Sequence, residues 1–118
     1  MPSGSRDYRE FLHDIVESCA LILQWTDGLD PETFVNDRRT FDAVVRNLEI
    51  MGEATKNLPA DLKERHPEIR WRGIAGFRDI AAHFYFGLKQ EIVISIVYEQ
   101  LPMISSALAG VLDAEQGD

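Results

Sequence analysis

Apolar residues recur every three or four positions in four stretches of the chain, the spacing that places side chains on one face of an α-helix. The first stretch predicts a helix from about Ser5 to Thr26, with Ser5 or Asp7 available to cap its start. The "DGLDP" segment ends this helix and offers Gly28 for a left-handed backbone conformation. The predicted buried face consists of Tyr8, Phe11, Ile15, Cys19, Ile22 and Thr26.

A second long helix is predicted from about Arg38 to Leu58, after a short turn with the sequence "PETFVND". Its apolar positions alternate steps of three and four, which is typical of a seam that packs along another helix at a shallow angle. Pro59 ends the helix, because proline cannot continue the hydrogen-bond ladder. The predicted seam is Phe41, Val44, Leu48, Met51, Thr55 and Leu58.

The chain between the second and third long helices is predicted to be mostly irregular. A short helical piece begins near Ala60 and ends before Pro67, and "HPEIRW" has the composition of a loop. The third helix is predicted from about Trp71 to Phe84, with Gly87 just beyond its end. Its expected buried stripe is Ile74, Phe77, Ile80 or Ala81, and Phe84.

The last stretch, from about Lys89 to Leu112, contains the β-branched run "EIVISIVY", which also suits a strand. We predict a helix, kinked at Pro102, because the helical spacing continues past strand length and no second strand exists to pair with. Its predicted face is Ile92, Ile96, Leu101, Ile104, Leu108 and Val111. The fold expected is therefore an all-α, up-and-down helical bundle of four main helices plus short helical turns, forming a single domain over residues 1–118.

Length and composition are those of an ordinary globular domain. The 118 residues are 45% hydrophobic, which suits one domain with one core. No apolar run approaches the ~20 residues of a membrane span, and the N-terminal residues lack the apolar core of a secretory signal. Cys19 is the only cysteine, so an internal disulfide and a cysteine metal cluster are excluded. We expect Cys19 to be buried and the protein to be cytoplasmic.

Charge is unevenly distributed along the chain. The formal net charge of -8 argues against a nucleic-acid partner. Residues 56–79, however, hold six basic and four acidic side chains, so this segment carries +2 while the other residues carry -10. Taken alone, this segment reads as a solvated region of mixed charge. Its excess of basic residues nevertheless lies directly before the segment whose side chains are the strongest candidates for a catalytic site.

That segment is "RDIAAHFYFG", residues 78–87. On a helix, Asp79 and His83 share a face, where the carboxylate could orient the imidazole and raise its pKa. Arg78 points about 140° away from His83, so only its long stem, or a dimer interface, would bring the two together. Arginine binds phosphate with a bidentate charged fork, and histidine transfers protons near neutral pH. The pair suits metal-independent RNA cleavage by the 2′-hydroxyl, and a two-fold dimer would supply two histidines.

A purely structural interpretation accounts for the same residues. Arg78 would be a surface residue with a solvated head, and His83 a favourable partner of the helix C-terminal dipole. Tyr85 would pack between Phe84 and Phe86 with its hydroxyl at the surface. The pattern alone favours this structural interpretation.

Other candidate sites are weaker. His13 and His66 have no partner at metal-ligand spacing, so a metal site is not expected. Glu49 and Glu53 are four apart on the second helix and could bind a cation, although a solvated face is the expected reading. The sequence contains no glycine-rich phosphate loop and no GxSxG motif, and no cofactor is expected.

Three blocks of the sequence together resemble HEPN-domain toxins of the HepT type. "RDIAAHFYFG" matches the family's Arg-x4-His-x-Tyr signature. "NLEIMGEATKNLP" resembles its second long helix, with Glu-Ile-x-Gly-Glu-Ala at the centre, and "HPEIRWRGIAGFRD" resembles the segment that leads into the signature. The likeness covers about residues 8–112, and the blocks occur in the family's order and at similar spacing.

The resemblance implies an α-helical bundle that forms a two-fold homodimer, with the signature at a cleft between the protomers. It implies a metal-independent endoribonuclease, with tRNA a frequent target. Arg78 would stabilise the scissile phosphate, His83 would be the acid/base, and Asp79 occupies the variable polar position after the arginine. Tyr85 lies where the family's partner, a minimal nucleotidyltransferase antitoxin, attaches AMP. The competing hypothesis is a non-catalytic helical module that only docks this nucleotidyltransferase. The net charge of -10 outside residues 56–79 suits this hypothesis better.

Overall fold

Helices make up the regular structure of the protein. The computed structural model describes residues 7–80 and 90–116, and no strand occurs within these ranges. The all-α prediction is therefore confirmed for the described chain. The helices are α1 (Tyr8–Thr26), α2 (Pro31–Asn36), α3 (Arg38–Lys56), α4 (Ala60–Arg65), α5 (Trp71–Gly76), α6 (Gln90–Ser95) and α7 (Leu101–Gln116), with a π-helical segment, Ile96–Gln100, joining the last two.

The first helix follows its predicted pattern closely. Asp7 caps its start by accepting a hydrogen bond from the backbone N–H of Arg9 at 2.8 Å. Gly28 has a φ of 81°, so the glycine provides the left-handed conformation that the chain needs after α1. Tyr8 and Phe11 are only partly buried. The fully buried positions are Leu12, Ile15, Ser18, Cys19, Ile22 and Thr26.

The segment predicted as a turn, "PETFVND", is instead the short helix α2. Asp30 caps it by accepting from the N–H of Thr33 at 2.8 Å, and Pro31 occupies its first turn, where its missing N–H has no cost. Phe34 anchors α2 in the core, with its ring centroid 5.3 Å from that of Phe41 and 6.0 Å from that of Tyr98. The cap and the proline were visible in the sequence, but the buried ring contacts were not.

The core lies between α1, α3 and α7. The helix α1 packs along both α3 and α7, and α3 also packs against α5. The predicted seam of α3 is confirmed, since each of its positions is buried. These are Phe41, Val44, Leu48, Met51, Thr55 and Leu58.

The predicted third helix is not continuous. The helix α5 ends at Gly76, Phe77 lies in a turn, and residues 78–80 are helical again. At the break, the N–H of Phe77 bonds to the carbonyl of Ile74 at 3.0 Å, three residues back rather than four. Glycines at positions 73 and 76 weaken the helical preference of this segment, which is the physical reason for the interruption. Residues 81–89 lie outside the described ranges.

The last stretch is helical, as predicted, and not a strand. The kink at Pro102 stays a prediction, and the π-helical segment lies directly before this proline, with the N–H of Leu101 bonded to the carbonyl of Ile96. This wider turn accommodates a proline ring, which clashes with the carbonyl four residues earlier in an ordinary α-helix. The prediction for Ile92 was wrong: its side chain is 46% exposed, and Val93 is buried in its place.

This stretch also has the length and composition of a membrane-spanning helix. Gln90–Gln116 is 27 residues long, and an 18-residue window within it has a mean hydropathy of 1.5. Core helices of globular proteins show the same features, and here α7 packs along α1. Length and hydropathy therefore do not by themselves assign a membrane span.

A cluster around Glu115 fastens the end of α7 to the rest of the bundle. The Glu115 carboxylate accepts from Tyr8 Oη at 3.1 Å and from Arg65 Nη2 at 2.8 Å, and lies 2.7 Å from His66 Nε2. Its side chain is only 9% exposed. The hydrogen bonds from Arg65 and His66 lower the pKa of Glu115 to about 2. The cluster joins α1, α4 and α7 through charge-assisted hydrogen bonds.

Candidate functional site

Arg78 stands on the surface immediately after the break at Phe77. Phe77 and Ile80 are buried, 5% and 7% exposed, and anchor this part of the chain in the core. Arg78 and Asp79 lie between these anchors and are exposed, the Arg78 side chain by 48%. The buried neighbours thus hold the Arg78 backbone in place and leave its side chain half exposed at the surface.

Gly52, in the middle of α3, lies directly against the backbone of Arg78. A β-carbon at residue 52 would overlap the backbone nitrogen of Arg78 and lie 2.9 Å from its Cα and from the carbonyl oxygen of Ala75. Real β-carbons essentially never come so close to backbone atoms. Only glycine therefore permits α3 and the Arg78 segment to approach to this distance.

Glu53 forms an ion pair with Arg78, with Oε1 2.9 Å from Nε. Both side chains are about half exposed, so the pair is at the surface. Glu49, one turn earlier, lies instead 3.4 Å from Nη1 of Arg46. Glu49 and Glu53, the candidate cation ligands, thus each face a different arginine.

His83 and Tyr85, the remaining residues of the signature, lie outside the described residues. Their positions relative to Arg78 and Asp79, and the predicted pairing of Asp79 with His83, stay predictions. The partner of Arg78 that sequence reasoning missed is Glu53. A glycine in mid-helix followed by an acid was the available signal, but nothing in the sequence connects position 53 to position 78.

A groove of about 590 Å³ opens beside this site, on the side of Phe77. One wall comes from the loop before α5 and α5 itself, and the other from the π-helical segment and α7. Met103 on the second wall is 76% exposed, an unusual position for a large apolar side chain. Arg70 lies on one wall and Glu99 on the other.

The other two histidines differ in their surroundings. His13 is exposed on α1. His66 is largely buried, with its ring between Glu115 and Glu68, 3.6 Å from the latter. Within residues 7–80 and 90–116, no three side chains of the metal-binding types are grouped closely enough to hold an ion. The sequence could not reveal the His66–Glu115 contact, because 49 residues separate the two.

Comparison with known proteins decides the family. Residues 15–111 match the model of the family described as ribonuclease HepT-like. The chain belongs to the ribonuclease HepT-like family. The match includes α3, α5, Arg78 and all of the signature, so the resemblance to HepT-type HEPN toxins is confirmed, and with it the prediction of an enzyme that cleaves RNA.

Several curated proteins of this family are similar over most of their length. A candidate RNase of Methanocaldococcus jannaschii is 41% identical over 97 residues, which are 82% of this chain and 80% of the relative. The probable ribonuclease HepT of Thermococcus cleftensis is 42% identical over 99 residues, 84% of this chain and 90% of the relative. A candidate RNase of Caldanaerobacter subterraneus is 35% identical over 108 residues, which are 92% of this chain and 96% of the relative. No solved structure matches the chain.

Proposed function

We propose that this HepT-like ribonuclease is the toxin of a toxin–antitoxin pair, a metal-independent endoribonuclease in which Arg78 and His83 perform the chemistry. The observation that carries the proposal is the placement of Arg78. Its half-exposed side chain extends from a backbone held between two buried residues, and the signature histidine follows five residues later.

The reaction is a transfer of the phosphodiester to the neighbouring 2′-hydroxyl of RNA. The 2′-oxygen forms a bond to phosphorus while the bond from phosphorus to the 5′-oxygen breaks, giving a 2′,3′-cyclic phosphate and a 5′-hydroxyl. His83 accepts the proton of the 2′-hydroxyl, and a protonated histidine returns a proton to the leaving oxygen. Arg78 stabilises the negative charge that gathers on the phosphoryl oxygens. No step requires a metal ion.

Two histidines per reaction are best supplied by a homodimer, and the groove beside Phe77 is the surface we assign to the second copy. Its walls carry opposite charges, Arg70 on one and Glu99 on the other. In two copies related by a two-fold axis, Arg70 of each copy can pair with Glu99 of the other. Exposed Met103 provides apolar area at the same place. Because Phe77 adjoins Arg78 in the chain, docking here would bring two signature segments near one another.

Substrate binding falls to the basic residues ahead of the signature. Arg72 is exposed, lies outside the groove that we assign to the second copy, and precedes Arg78 by six residues. Arg65, in contrast, is held by Asp61 and Glu115, and the hydrogen bond that it donates to Glu115 raises the pKa of Arg65. RNA, with tRNA as the target class we favour, would therefore meet Arg72 as well as Arg78 in an otherwise acidic protein.

The inhibitor we propose is a minimal nucleotidyltransferase antitoxin that transfers AMP to the hydroxyl of Tyr85. Such a phosphodiester adds a negative charge two residues from His83. It can pair with Arg78, and the adenosine blocks access to the site. Both effects oppose RNA binding.

Induction in cells that lack the antitoxin tests the proposal. We expect growth arrest with the wild type and none with His83→Ala at equal protein level. His13→Ala, a change at an exposed histidine on α1, is the matched control and should arrest growth like the wild type. Equal arrest by wild type and His83→Ala would contradict catalysis by His83. No arrest with any of the three would favour a module that only docks the nucleotidyltransferase.

A further inference from the structure

We propose that Gly52 and Glu53 act as a positioning pair for Arg78, in which Gly52 fixes the Arg78 backbone and Glu53 orients its guanidinium. The inference deepens the proposed function and rests on the proposed role of Arg78 in RNA cleavage. Neither residue touches the substrate in this assignment. Each acts only through the arginine.

Gly52 determines the distance between α3 and the Arg78 segment. The nearest atoms to a β-carbon at this position are backbone atoms of Arg78 and Ala75, which cannot rotate away as the end of a flexible side chain can. Any larger residue must therefore push the Arg78 segment outward. Phosphoryl transfer depends on placement, and a shift of about 1 Å at a reacting group can lower a rate by about a hundredfold.

Glu53 follows directly on α3 and meets the guanidinium from the same side. Its Oε1 lies 2.9 Å from Nε, the one nitrogen of the fork that is nearest the stem. A carboxylate that binds at Nε leaves the two terminal nitrogens, at the far end of the planar group, outside this contact. Those nitrogens are the pair that grips two oxygens of a phosphate in the end-on bidentate geometry.

The exposure of this pair indicates a role in orientation and not in folding. Ion pairs whose side chains are about half exposed contribute little to stability, because water screens the charges. Loss of the Glu53 charge should leave the fold intact. It should nevertheless free a long side chain whose many rotamers compete with the one that faces the phosphate.

A competing role for Glu53 predicts the opposite effect on activity. The carboxylate could act as a stand-in for phosphate that occupies Arg78 until RNA displaces it. Removing a carboxylate that competes with the phosphate would raise kcat/KM, whereas removing a positioning residue lowers kcat. Because Glu53 is negatively charged, its loss should not weaken the binding of RNA in either case, so KM should stay the same or fall.

The test compares Glu53→Gln, Glu53→Asp and the matched control Glu49→Gln in steady-state cleavage of purified bulk tRNA by the full chain. We expect Glu53→Gln to lower kcat about tenfold without raising KM. Glu53→Asp keeps the charge and should recover part of the loss. Glu49→Gln, whose carboxylate faces Arg46, should match the wild type. Thermal melting of each variant confirms that the fold is unchanged.

A double variant separates this inference from the proposed function. In an Arg78→Ala background, Glu53→Gln should cause no further loss, because Glu53 acts only through Arg78. Wild-type kcat for Glu53→Gln, or a higher kcat/KM, with Arg78→Ala strongly slowed would overturn the positioning role and leave the catalytic role of Arg78 in place. Full activity of Arg78→Ala would instead overturn the proposed function, and the positioning role with it.

Discussion

Gly52 and Arg78, which are 26 residues apart, meet so closely that a β-carbon on the glycine would overlap the backbone nitrogen of the arginine. This contact brings α3 and the first residue of the signature together. It explains why the interior of α3 contains a buried glycine, a residue that costs a helix about 1 kcal/mol relative to alanine.

Gly52→Ala should therefore destabilise the protein, although alanine is the better helix former. The added methyl group overlaps backbone atoms, and overpacking of this kind costs about 1–3 kcal/mol. The measurement is the free energy of unfolding from urea titration. Gly110→Ala is the control, because a β-carbon there meets nothing within 4 Å, and it should be neutral or stabilising. Equal effects of the two changes would contradict the close approach.

The Glu115 cluster predicts a dependence of stability on pH. Glu115→Gln should lower the free energy of unfolding at pH 7 by roughly 1–2 kcal/mol, since it removes the charge that Arg65 and His66 bind. The folded-state pKa of Glu115 is about 2, below its ordinary 4.5. The stabilisation is therefore complete above pH 4.5 and disappears as the pH falls toward 2.

Chemical denaturation at pH 7 and pH 3 checks this prediction. The difference between wild type and Glu115→Gln should shrink at the lower pH. The exposed Glu64→Gln on α4 is the control and should show little difference at either pH. A difference that grows on acidification would mean that the carboxylate is not held in its charged form.

Cleavage should not need a divalent metal ion. In the proposed mechanism the histidine moves the protons and the arginine stabilises the phosphoryl charge, so activity on bulk tRNA should persist in excess EDTA. The measurement is the initial rate with EDTA against the rate with magnesium. Activity that EDTA abolishes and magnesium restores would point to Glu49 and Glu53 as cation ligands and would overturn the histidine mechanism.

Tyr85→Phe should remain toxic but escape silencing by the nucleotidyltransferase. Phenylalanine keeps the ring and removes the oxygen that we propose as the AMP acceptor. After incubation with the antitoxin and ATP, mass spectrometry should find AMP on the wild-type peptide that contains Tyr85 and none on the variant. An inactivated wild type with an unmodified peptide would mean that the antitoxin acts by masking the site.

The sequence was sufficient to predict the long helices, because their burial follows a regular period. The seam of α3 could be read from spacing alone, whereas on α1 the spacing missed the buried Leu12 and Ser18. The short helix α2 was missed because six residues are too few to show a helical period of apolar positions. Asp30 and Pro31 nevertheless supplied the signal for a helix start. The break at Phe77 was missed because the apolar spacing runs through it unchanged.

The site could be predicted only in part, and for a different reason. Arg78 was recognisable within its signature, but its contacts with Gly52 and Glu53 join positions that are distant in sequence. Such contacts depend on how α3 and α5 pack, which local periodicity does not specify. The same limit hid the His66–Glu115 contact.

The catalytic role of Arg78 and His83 is tested most directly by cleavage of bulk tRNA with purified wild type, Arg78→Ala, His83→Ala and the control His13→Ala, with mapping of the new RNA ends. We expect the wild type and His13→Ala to leave 2′,3′-cyclic phosphate and 5′-hydroxyl ends at similar rates. Each of the other two variants should be slower by about a hundredfold or more. A wild-type rate from either Arg78→Ala or His83→Ala would contradict this role.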